Sequence, residues 1–93
     1  MKILEPLFEL GETCATPAVI QLAANHGLTL YPYIRKHHCG EWGDLCDDDK
    51  TANDEALESG DRILSAYQIS GRKIFIITEH DRSRTTIMLS SEY

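Results

Sequence analysis

Long apolar runs are missing from this sequence. The longest uninterrupted aliphatic-aromatic stretch is Ile74-Phe75-Ile76-Ile77. A helix that crosses a bilayer needs roughly 18 such residues, so no membrane-spanning helix is expected. Bases are scarce: nine Lys and Arg stand against fifteen Asp and Glu, a formal charge of −6. A field of that sign repels a phosphate backbone, which argues against direct nucleic-acid binding. Cysteine is limited to Cys14, Cys39 and Cys46. The opening Met1-Lys2-Ile3-Leu4-Glu5-Pro6 has an acid and a proline where a signal peptide carries an apolar stretch. Free thiols and a cytoplasmic location are therefore expected. Also missing are a Gly-rich strand-to-helix loop, a nucleophile elbow and paired zinc-knuckle spacing. No motif fixes a reaction, and no cofactor is expected.

What is present fits a small globular protein. Apolar residues make up 42% and charged residues 26% of the chain, close to the averages for folded domains. Ninety-three residues hold one core, so residues 1–93 are expected to form a single domain.

The acidic excess is local. Residues 41–61 carry nine acids and one base, Lys50, a net of −8, while the other 72 residues have a net of +2. Such a block suits a solvated helix with acids in its first turn, where they complement the helix dipole. The sharper reading is a surface that pairs with a basic partner. The residues that would carry such pairing are Asp44, Asp47, Asp48 and Asp49.

Three helices are predicted in the first two thirds. Thr16-Pro17 supplies a cap and a first-turn proline, Ala18, Val19, Leu22 and Ala23 follow at helical spacing, and Asn25-His26-Gly27 supplies a stop. Thr29 can cap a second helix whose stripe is Leu30, Tyr33, Ile34 and His37, ending near Cys39. A third, acidic helix is predicted from near Asp47 to Gly60, lying on the surface because its apolar stripe is narrow. Upstream, Leu7-Phe8-Glu9-Leu10 has the alternation of a short edge strand.

The period changes near Arg62. Three β-branched runs, 62–69, 73–78 and 85–89, are separated by Ser70-Gly71 and Asp81-Arg82-Ser83. Links this short join antiparallel neighbours, so the last third is predicted to be a three-stranded meander. The resulting fold class is α+β: two or three helices packed on a three- to four-stranded antiparallel sheet. The central strand is apolar on both faces, so one face takes the helices. The other is expected to lie under the N-terminal segment or a partner chain.

Several clusters have the composition of a site. His37-His38-Cys39 with Cys46 and Asp47 is the densest set of metal ligands, but adjacent histidines on a helix diverge and the cysteine spacing is wrong for a zinc knuckle. No metal is expected there; the simpler reading is a buried or half-buried thiol pair beside solvent histidines. Cys14, near the start of the first helix, reads as a small buried cysteine. Glu79, His80, Asp81 and Arg82 have acid-base composition, but Asp-Arg-Ser between strands is usually a turn capped by its Asp. Trp42, between Gly40 and Gly43, is expected in the core, where it would close the junction of helices and sheet.

The segments Gly40-Glu41-Trp42-Gly43-Asp44-Leu45, Asn53-Asp54-Glu55-Ala56-Leu57, Arg62-Ile63-Leu64-Ser65-Ala66-Tyr67 and Ile76-Ile77-Thr78-Glu79-His80-Asp81-Arg82-Ser83 with Thr85-Thr86 together resemble a family of short bacterial proteins. These are carried on plasmids and other mobile elements and described as plasmid-related hypothetical proteins, some labelled type I restriction-modification subunits. The resemblance runs from near His37 to Tyr93. It implies a mobile-element protein and carries over no catalytic residues.

The function expected from all of this is non-enzymatic. The chain would be an accessory protein of a mobile genetic element that binds a macromolecule, either a protein partner or another copy of itself. A sharper form is an acidic inhibitor of a host defence system, with the −8 segment in a basic nucleic-acid groove. The binding residues would be Asp44, Asp47, Asp48, Asp49, Glu79, Asp81 and Arg82. The alternative is a small enzyme or ribonuclease-like toxin that uses Glu79–Arg82.

Overall fold

A computed structural model describes residues 5–93, so the reading of Met1–Leu4 lies outside the described residues. In chain order the elements are β1 (Glu12–Ala15), α1 (Pro17–Asn25), α2 (Tyr31–His38), α3 (Asp47–Ser59), β2 (Ile63–Ile69), β3 (Arg72–Thr78), β4 (Arg84–Leu89) and a 3-10 turn, Ser90–Glu92. The fold is α+β: three helices packed with one four-stranded sheet of order β1-β4-β3-β2. No helix among the described residues is long and apolar enough to cross a membrane.

The meander forms as its sequence dictates. Ser70 and Gly71 both take positive φ, 50° and 82°. That is the type I′ pattern, whose twist matches the flanking strands. Tyr67 pairs with Ile74 and Ile76 with Ile87 across the antiparallel ladders.

The sheet is nevertheless mixed, which corrects the antiparallel expectation. Its fourth strand is Glu12–Ala15, parallel to β4, with Glu12 opposite Arg84 and Ala15 opposite Ile87. Leu7–Leu10 is irregular, with a bend at Phe8, and is not a strand, because its backbone groups are engaged elsewhere. Leu7 N–H donates to the carbonyl of His38 (3.0 Å), the Phe8 carbonyl accepts from His38 Nε2 (2.8 Å), and the Leu10 carbonyl accepts from Thr85 Oγ1 (2.7 Å). This segment is a strap from α2 to the sheet.

The helices begin and end close to where capping chemistry puts them. Thr16 Oγ1 accepts from Val19 N–H at 3.3 Å, and Pro17 opens α1. In α2 the cap position falls to Leu30 rather than Thr29, without a side-chain bond. Gly60 stops α3 in the left-handed region, at φ 81°.

One sheet face takes all three helices and divides into two apolar clusters. Val19, Leu22 and Ala23 of α1, with Tyr33 and Ile34 of α2, pack on Ile69, Ile74, Ile76 and Ile87. Trp42, Ala56 and Ile63 form the second cluster, with Phe8, Leu45 and Leu57 against it. Each fully buried isoleucine contributes roughly 1.5–3 kcal/mol, so these clusters dominate the stability.

Among the described residues the N-terminal segment does not cover the opposite face; it joins the Trp42 cluster through Phe8. That face is instead covered in part by the chain's own last residue. The Tyr93 ring meets Phe75 edge-on at 5.6 Å, Arg62 lies over it at 5.5 Å, and Ile77 on this face is buried.

Candidate functional site

The acidic segment forms an exposed ridge. All nine acids between residues 41 and 61 are solvent-exposed. Asp47, Asp48 and Asp49 make the first turn of α3, whose cap residue Cys46 supplies no side-chain bond. The carboxylates complement the unsatisfied N–H groups there. Asp44 is fixed by its backbone, which donates to the Ala66 carbonyl at 2.7 Å while Ala66 N–H donates to the Trp42 carbonyl at 3.1 Å. This close approach requires Gly43 (φ 79°), because a Cβ there would strike the Ala66 carbonyl and the Tyr67 ring. Asp54 has a structural task, accepting from Trp42 Nε1 at 3.0 Å.

Arg82 works differently from its sequence reading as site material. Its Nη1 donates to the carbonyls of Asp61 (2.6 Å), Glu79 (3.2 Å) and His80 (3.3 Å), and Nη2 donates to that of Ala56 (2.9 Å). The guanidinium also sits 5.8 Å from the Phe8 ring centroid. Arg82 thus clamps the end of α3 to the β3–β4 turn. Asp81 Oδ1 caps that turn, accepting from Ser83 Oγ (2.6 Å) and Ser83 N–H (3.0 Å). The Ser83 hydroxyl first, then its N–H, hold the Asp81 carboxyl below the usual carboxylate range. Glu79 is half-exposed and lines a hollow with Glu12, Ser83, Arg84 and Thr86. The seven candidates therefore fall into two groups at opposite ends of α3. Thirteen residues of helix separate them by about 18 Å at 1.5 Å per residue.

A chain of buried polar side chains runs from His37 across the sheet. His37 is completely buried, and its Nδ1 lies 2.5 Å from Ser65 Oγ and its Nε2 2.8 Å from Thr78 Oγ1. Thr78 Oγ1 lies 2.7 Å from Thr85 Oγ1, which donates to the Leu10 carbonyl at 2.7 Å. That carbonyl can only accept, so every proton in the chain is assigned. Thr85 donates to Leu10, Thr78 to Thr85, His37 Nε2–H to Thr78, and Ser65 to Nδ1. Burial, reinforced by neighbouring His38, lowers His37 to about 3, so the imidazole is neutral. Ser65 and His37 have the pairing of a nucleophile and base, but both are completely buried and no substrate reaches them. They tie α2 to the sheet.

This corrects the expectation of solvent histidines. The signal lies in the spacing: His37 continues the half-buried stripe of Leu30, Tyr33 and Ile34. The thiol pair is also absent, since Cys39 is half-buried and Cys46 exposed. Cys14 lies half-buried in β1, its Sγ 3.9 Å from Glu12 Oε1. Among the described residues no three His, Cys, Asp or Glu side chains converge as a metal site.

A pocket of about 440 Å³ opens beside the acidic ridge, lined by Tyr33, Lys36, Glu41, Gly43, Asp44, Tyr67 and Gln68. Tyr67 Oη donates to the Glu41 carbonyl at 2.5 Å, and burial first, then the Glu41 charge, push its phenol up to about 12. It stays a neutral donor at physiological pH. No protein-family model, curated protein or solved structure matches the chain.

Proposed function

We propose that the chain is a non-enzymatic accessory protein of a mobile genetic element, acting by binding a macromolecule through its acidic ridge. The observation that carries this reading is the exposure of all nine acids of residues 41–61. The complementary partner is a basic protein surface. In the sharper form it is the nucleic-acid groove of a host defence protein, where charge of this sign speeds encounter and selects against wrong partners. The resemblance of residues 37–93 to plasmid-related proteins supports the mobile-element setting. The alternative, a small enzyme or ribonuclease-like toxin using Glu79–Arg82, is less well supported. Arg82 is committed to four backbone carbonyls and Asp81 to its own turn.

A pull-down from host lysate, run with wild type and an Asp47→Asn/Asp48→Asn/Asp49→Asn variant, tests the reading. One reproducible basic partner, lost in the variant and at raised salt, is the expected result. Degradation of RNA by the purified chain, lost on His80→Ala, would overturn it in favour of the enzyme.

A further inference from the structure

The outer edge of β2 is guarded residue by residue, and the guarding stops at Gln68. An exposed strand edge presents unpaired N–H and C=O groups at every second residue. At Leu64 the side chain of Asn53 takes both: Nδ2 donates to the carbonyl at 2.7 Å and Oδ1 accepts from the N–H at 3.2 Å. At Ala66 the backbone of residues 42–44 takes both, through the parallel bridge at Gly43. The next outward pair belongs to Gln68, which is exposed and lacks a backbone partner among the described residues.

Gln68 also lines the pocket beside the ridge. Glu41, Asp44 and Lys36 line that pocket together with the aromatic side chains of Tyr33 and Tyr67. The pocket thus combines an open strand edge, aromatic side chains and two carboxylates against one lysine. Those are the three things an extended basic peptide needs: main-chain partners, a surface for alternate side chains, and carboxylates for the others.

We propose that the outer edge of β2 at Gln68 is a docking site for an extended, lysine- or arginine-bearing segment of a protein partner. The segment adds two main-chain hydrogen bonds at Gln68 and directs a cationic side chain to Glu41 and Asp44. The proposal rests on the acidic-ridge reading and names how the basic partner is held: the ridge attracts it and the edge fixes it.

The probe is an acetylated, amidated pentapeptide, Val-Lys-Val-Lys-Val, titrated into the full chain and followed by amide chemical shifts and hydrogen exchange. Saturable shifts at Gln68, Lys36 and Asp44, with slowed exchange of the Gln68 amide, are expected. The variant Gln68→Pro removes the outward N–H without touching the β2–β3 ladder, and proline is tolerated at such edge positions. It should weaken binding about tenfold, the loss of one hydrogen bond, whereas Gln68→Ala, which keeps the backbone donor, should bind as wild type does. If Gln68→Pro fails to fold, the same loss is read with wild-type protein and a backbone N-methylated peptide.

Shifts confined to Asp47–Asp49 and Glu55, with Gln68 unmoved, would overturn the edge site and leave the acidic ridge standing. Equal binding of Val-Glu-Val-Glu-Val would overturn the charge assignment. Failure of the ridge reading itself shows separately, as a lysate partner indifferent to the Asp47–Asp49 substitutions.

Discussion

The indole Nε1 of Trp42 donates to the Asp54 carboxylate at 3.0 Å, joining the loop before α3 to the third turn of that helix. The rest of the indole is only 4% exposed and lies against Ala56 and Ile63, with Phe8 and His37 rings 6.2 and 6.0 Å away. One side chain therefore connects the strap, two helices and the sheet.

Trp42→Ala is expected to remove about 3–5 kcal/mol, the usual cost of truncating a buried tryptophan. A small domain has about 5–15 kcal/mol in total, so the variant should melt far below wild type or not fold. Calorimetry checks this. Wild-type fluorescence should be blue-shifted and resist iodide quenching.

His37 makes stability fall in acid. Its folded value of about 3 is depressed below the 6.5 of an unfolded histidine. Above the unfolded value both states are neutral and nothing is lost. As pH drops below it, only the unfolded chain gains a proton, at roughly 1.4 kcal/mol per pH unit. About 2 kcal/mol should therefore be gone by pH 5. Urea unfolding at pH 7.5, 6.5 and 5.5 measures the slope. His37→Gln should be less stable at neutral pH and lose this part of the slope.

Arg82→Lys keeps the charge but loses the planar fork that reaches Asp61, Glu79, His80 and Ala56. Lysine cannot span those carbonyls, and a destabilisation of about 1.5–3 kcal/mol is expected from hydrogen bonds made by a charged group. A shifted denaturant midpoint with an unchanged slope would show it.

Neutralising Asp47, Asp48 and Asp49 should leave the chain folded, at a cost of roughly 0.3–1 kcal/mol each from the lost complement to the α3 first turn. Partner capture should fall sharply in the same variant. A cooperative melt combined with lost capture separates recognition from support.

Much of the fold is legible because it is local. Thr16-Pro17 is a complete helix start, Ser70-Gly71 a complete hairpin turn, and Gly60 a complete helix stop; each acts within a few residues. β1 escapes such reading because Glu-Thr-Cys-Ala has little apolar pattern and takes its strand geometry from β4, at the far end of the sequence. Leu7–Leu10 misleads for the same reason: its alternation is real, but His38 and Thr85 claim its carbonyls. At the candidate site, exposure of the Asp47–Asp49 turn follows from charge alone. The roles of His37 and Arg82 do not, because polarity suggests solvent until a fold supplies buried hydroxyls to one and four carbonyls to the other.

The parallel pairing of Glu12 with Arg84 also fixes an order of assembly. The β2–β3–β4 meander closes through short loops and can nucleate early, whereas β1 reaches β4 across 72 residues, Glu12 to Arg84. On a ribosome, β1 emerges first and waits longest, its edge unsatisfied until β4 clears the exit tunnel. A stop anywhere before Thr85 would leave β1 with no strand to join and α1 with half a platform. Premature termination in this chain should therefore yield aggregates rather than a smaller folded protein.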